Sequence, residues 1–71
     1  MSDFDLGLMV KNHRKKAGLT QLELANLAGI GKTTVFDIEK NKETVRWSNI
    51  LAVLQVLNIE VEFKSPLTEN V

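Results

Sequence analysis

Lys32, Thr33, Phe36 and Asp37 recur at the spacing of one helix face and together offer an ammonium, a hydroxyl, an aromatic ring and a carboxylate. Such a polar, short-chained face suits reading hydrogen-bond donors and acceptors on a surface, and it could enter a major groove, whose width admits one helix. Bond-breaking chemistry has little to work with. The chain has one histidine, His13, and no cysteine, which leaves no convincing pair of nucleophile and base. GIGKTT, residues 29 to 34, imitates the end of a phosphate-binding loop. That motif needs glycine five residues before Gly31, where this chain has Asn26, and a strand before the loop, where this chain has a helix. The expectation is a protein that is not an enzyme. With no thiolate and no ligand clustered beside His13, no metal or other cofactor is expected either.

The elements that must position that face can be read around it. Thr20 is a good N-cap and Glu23, three residues on, can reach back to the cap amide, so a helix starts at Gln21. Leu22, Leu24, Ala25, Leu27 and Ala28 make it apolar on nearly every side, as expected of a helix pressed between two others. Gly29 ends it, since glycine takes the left-handed conformation without cost. After Gly31 a second helix runs from Lys32 to Lys40, with Val35, Ile38 and Glu39 turned inward and the four side chains above turned outward. Two short helices joined by a tight glycine turn read as a helix-turn-helix, which makes DNA the leading partner.

Before this pair, a helix is expected from Phe4 or Asp5 to Ala17, its acidic residues Asp3 and Asp5 at the positive end and Lys15 and Lys16 at the negative end. Leu6, Val10 and His13 should face the core, with Met9 beside them. A fourth helix over 45–57 carries Trp47, Ile50, Leu51, Val53, Leu54, Val56 and Leu57, more apolar surface than one small core can cover, so part of it should meet another chain. The period then changes. Ile59, Val61 and Phe63 alternate with Glu60, Glu62 and Lys64, the mark of a half-buried strand. A lone strand in a helical chain has no partner within it, and the economical partner is the same strand of a second copy about a twofold axis. Centring the pair on Glu62 sets Glu60 opposite Lys64 twice, which makes that the expected register; a frayed extended tail is the alternative. Residues 1–64 thus form one domain with a dimerisation strand at 59–64, and 65–71 are expected to be a disordered tail.

Seventy-one residues with a formal net charge of zero lie near the size at which one core is self-sufficient, so help from a second copy is expected. The charge is zoned. Residues 1–10 carry net −2, residues 11–46 net +4 and residues 47–71 net −2, so the basic excess overlaps the helix-turn-helix, although a solvated face could look the same. No apolar window is long enough to span a bilayer and the acidic MSDFD start is no secretory signal, so a cytoplasmic, nucleoid-associated protein is the expectation.

Leu6, Val10, Arg14, Gly18-Leu19-Thr20-Gln21, Glu23-Leu24-Ala25, Gly29-Ile30, Val35 and Ile38-Glu39 together resemble the Cro/C1-type (XRE) repressors over residues 6–57. Trp47 followed by ILAVLQVLNIEVEF resembles the small HipB-like antitoxins, whose last strand pairs across a dimer. The resemblance implies an all-α, lambda-repressor-like helix-turn-helix bundle of four to five helices with one C-terminal β-strand pairing across a homodimer. It implies that Arg14 and Glu39 form a partly buried ion pair and that Gln21 grips a phosphate. It places Lys32, Thr33, Phe36 and Asp37 at the base edges: Lys32 toward guanine, Thr33 toward either base type, Phe36 toward a thymine methyl and Asp37 toward a cytosine amine or Lys32. Phe36 could instead pack against a partner protein or the fourth helix. Backbone contacts are expected from Lys40, Lys42, Thr44, Arg46 and Ser48, with Lys11, Lys15 and Lys16 in reach of phosphates or an acidic partner. Trp47, Leu51, Leu54, Ile59, Val61 and Phe63 are the expected dimerisation residues. The implied function is a repressor on a palindromic operator that serves as antitoxin of a HipA-type kinase toxin, possibly divided into two chains. The alternatives are a toxin-neutralising module with little DNA binding, or a phage-type repressor without a toxin.

Overall fold

The computed structural model describes residues 4–65. It contains four helices, α1 (Leu6–Lys16), α2 (Gln21–Ala28), α3 (Lys32–Glu39) and α4 (Trp47–Val56). Their limits follow from local chemistry. Asp5 caps α1 by accepting from the Leu8 amide at 2.9 Å. Thr20 and Glu23 form the capping box of α2, with the Glu23 amide donating to Thr20 Oγ1 at 3.0 Å and the Thr20 amide to Glu23 Oε1 at 2.8 Å. Gly29, at φ +72°, closes α2 in the left-handed region. Asparagine does the same work after α3 and α4, where Asn41 and Asn58 stand at φ +60° and +59°.

The core lies where the four helices meet: Val10 of α1, Leu24 and Ala25 of α2, Val35 and Ile38 of α3, Val53 and Leu54 of α4. Two expectations are corrected here. His13 is exposed, its Nδ1 bonded to the Met9 carbonyl at 2.8 Å; the inward position one residue on belongs to Arg14, which is buried. And α2 is not enclosed. Leu24 and Ala25 are buried, whereas Leu22 and Leu27 are 52 % and 62 % exposed, because an eight-residue helix lying between neighbours still has one side to solvent.

Beyond α4 the chain from Ile59 to Ser65 has no ladder, so among the described residues the alternating segment has no strand partner. Ile59 packs on the core, Val61 and Phe63 are exposed, and the Phe63 ring lies 6.4 Å from that of Trp47 at a tilt of 57°. Leu54, expected at a partner face, is 3 % exposed within the single chain and belongs to this core. The expected 65–71 tail, Ser65 apart, and Asp3 lie outside the described residues. Among the described residues no helix is long and apolar enough to cross a membrane.

One close approach sets how α1 meets α3. A β-carbon on Gly7 would stand 2.5 Å from the Glu39 carbonyl oxygen and 2.8 Å from that of Ile38. The junction is sewn by Asn41, which accepts from the Gly7 amide at 2.8 Å and donates to Asp5 at 2.7 Å. Gly7→Ala must push backbone from backbone. It should lower stability by about 1–3 kcal/mol, read as a reduced urea midpoint at unchanged slope; an unshifted midpoint would show that the helices do not approach this closely.

Candidate nucleic-acid interface

Helix α3 divides as its pattern requires. Val35 and Ile38 are buried, while Lys32, Thr33 and Phe36 are exposed and Asp37 is half-buried. None of the four outward residues belongs to the core, so their side chains are free to be chosen for contact. Phe36 is 46 % exposed and the Lys40 ammonium stands 5.5 Å from its ring centroid, a cation–π arrangement. Gln21, Lys32, Thr33 and Phe36 line one shallow depression of about 340 Å³.

What holds this face in place is a polar knot behind it. Arg14 of α1 donates from Nε to Glu39 Oε2 at 2.6 Å and from Nη2 to Glu39 Oε1 at 3.1 Å. Its remaining Nη1 donates to the Leu19 carbonyl at 2.9 Å. Gln21, the first residue of α2, donates from Nε2 to Glu39 Oε1 at 3.1 Å. Three helices therefore meet at one carboxylate, and the α1–α2 loop is tied to it through Arg14. The side chains of Arg14 and Glu39 are only 10 % and 4 % exposed. A fork-to-fork pair of this kind fixes orientation as well as distance, and among the described residues no buried side-chain nitrogen or oxygen lacks a partner. Gln21 is thus committed to Glu39 by one edge of its amide, with the rest of the amide left for another contact.

Burial pushes the Glu39 carboxyl upward, but the hydrogen bonds from Arg14 and Gln21 and the charges of Arg14 and Lys11 pull harder, and it titrates below the ordinary 4.5. Asp5, bonded to Asn41 and to the Leu8 amide, is likewise held below 3.8.

Lys40, Lys42, Thr44, Arg46 and Ser48 are all exposed on the turn after α3 and the start of α4. Trp47, Val61 and Phe63 are exposed at 48 %, 40 % and 83 %, and Leu51 and Ile59 are half-buried. Sequence patterns alone did not single out Gly7 or Asn41; the visible hint was an asparagine directly after a helical run, a residue suited to the left-handed stop.

Residues 10–64 match the helix-turn-helix family. An uncharacterised HTH-type transcriptional regulator, y4mF, of Sinorhizobium fredii is 37 % identical over 62 residues, covering 87 % of this chain and 82 % of the relative. A chain in the solved HipA–HipB–O2–O3 complex superposes with a TM-score of 0.77 at 27 % identity, over 93 % of both chains. A solved structure described as MDT protein gives the same TM-score of 0.77, the same 27 % identity and the same 93 % coverage.

Because Glu39 titrates lower in the folded chain than in the unfolded one, the stability it contributes is complete above the unfolded value of 4.5 and is lost as pH falls through the lower, folded value. Wild type should therefore lose stability more steeply than Glu39→Gln between about pH 5 and about pH 3; parallel acid profiles would contradict the shift. Arg14→Met leaves a buried carboxylate with Gln21 alone and should cost roughly 3–5 kcal/mol at neutral pH, measured by chemical denaturation.

Proposed function

This chain belongs to the helix-turn-helix family, and we propose that it is a DNA-binding transcriptional regulator acting as a homodimeric repressor on a near-palindromic operator. The observation that carries this reading is the outward face of α3. Its exposed residues serve no core, yet its position is fixed by the knot of Arg14, Gln21 and Glu39. A rigid rod with a spare polar face is what major-groove reading requires. Lys32 and Thr33 then donate to base edges, Phe36 meets a thymine methyl, and Asp37 accepts from a cytosine amine or steadies Lys32. Gln21, Lys40, Lys42, Thr44, Arg46 and Ser48 contact the phosphate backbone on either side.

Dimerisation rests on the carboxy-terminal segment. Its backbone beyond Ile59, which forms no ladder among the described residues, and the exposed Trp47, Val61 and Phe63 find cover in the same segment of a second copy. Two recognition helices should then engage half-sites about one turn, roughly 34–36 Å, apart. The likeness to a chain of the HipA–HipB–O2–O3 complex over 93 % of both lengths supports the finer reading, an antitoxin that holds a HipA-type kinase while bound at its own operon. Copurification of the untagged neighbouring gene products would support that reading, and their absence under gentle conditions would remove it, leaving a repressor without a toxin.

The Lys32→Ala, Thr33→Ala double variant should lose about 1–3 kcal/mol of preference per base contact for the promoter of its own operon over scrambled duplex. A wild-type protein indifferent to promoter sequence would defeat the repressor reading. Sedimentation at micromolar concentration should give a dimer, and a monomer would defeat the proposed architecture.

A further inference from the structure

A second concavity, of about 300 Å³, opens beside the α3 face and shares Gln21 and Phe36 with the first. Its floor is the Arg14–Glu39 pair and its rim carries Lys11, Lys15 and Lys40. We infer that this cleft is a phosphate site, taking one backbone phosphate group of the DNA strand that borders the major groove, with Lys11 and Lys15 of α1 as its principal cations. The inference rests on the DNA-binding reading and extends it to a helix outside the helix-turn-helix pair.

Three observations carry it. The floor is largely settled from within: Glu39 accepts from Arg14 and Gln21 and its side chain is 4 % exposed, so it offsets only part of the rim's charge. The rim is uncompensated. Lys11 and Lys15 are exposed, and among the described residues neither has a carboxylate within ion-pair distance. They stand four residues apart on one helix face, an arrangement that repels and disfavours the free helix, and that a bound polyanion relieves. Their field already reaches inward, since the Lys11 charge helps to hold the Glu39 carboxyl down. Finally, the cleft is continuous with the reading face through Gln21 and Phe36. A duplex seated on α3 must carry its sugar-phosphate edge past one side of that helix, and the amide edge of Gln21 not given to Glu39 adds a neutral donor there.

The test compares wild type with Lys11→Gln, Lys15→Gln on labelled promoter and scrambled duplexes across a salt series. Losing one neutralised phosphate in each protomer should flatten the plot of log affinity against log salt by about one unit per protomer, about two for the dimer, by the same amount on both duplexes, with the promoter-to-scramble ratio unchanged. The folded state should change little, which thermal unfolding checks, because relief of the like-charge pair and loss of the Lys11 attraction for Glu39 act in opposite directions. An unchanged slope with an intact promoter preference overturns the cleft and leaves the repressor reading standing. A flattened slope in a protein whose wild type shows no promoter preference keeps the cleft as a sequence-blind phosphate site and overturns the repressor reading instead. Loss of preference without loss of slope would show that the lysines act on base reading, and overturns the inference.

Discussion

The fold turns on a single carboxylate. Glu39 receives the forked guanidinium of Arg14 and the amide of Gln21, and Arg14 in turn reaches the Leu19 carbonyl. In a domain this small each helix buries little apolar surface against the others, and packing alone specifies their mutual angles loosely. The knot supplies what packing lacks. It ties α1, the loop after it, α2 and α3 to one point, with every hydrogen bond directed. Buried ion pairs add little net stability because desolvation offsets most of the attraction; here the gain is in orientation, which a reading helix needs more than it needs stability.

The near end of the same contact is held by different means. Gly7 lets α1 come against the last carbonyls of α3, and Asn41 fills the junction by bonding the Gly7 amide and Asp5 at once. The reading helix is therefore fixed at its inner side by the Glu39 knot and at its carboxyl end by the Asn41 stitch. Its outer side takes no part in the core, which leaves it free for the contact proposed above.

Much of this was legible in the residues. Thr20 with Glu23, and Gly29 after an apolar run, mark α2 to the residue because caps are local chemistry that needs no tertiary information. The inward and outward faces of α3 follow from helical spacing, and Arg14 with Glu39 from family resemblance. The misses have separate causes. His13 and Leu6 share a helical spacing, but which of two adjacent positions turns inward depends on the angle at which α1 meets α3, and that angle is set by Gly7 and Asn41, thirty-four residues apart. Leu22 and Leu27 could not be told from Leu24 by type alone, since periodicity in an eight-residue, largely apolar helix carries almost no contrast. Leu54 was assigned outward from an excess of apolar residues on α4, but an excess does not say which of them the chain keeps for itself.

Trp47 is the sole indole in the chain, and it stands tilted against the Phe63 ring, joining the start of α4 to the segment that follows its end. Its emission colour and intensity depend on how wet and how crowded that ring is. The protein thus carries an optical gauge of the contact between α4 and its carboxy-terminal segment, and needs no added dye to report it.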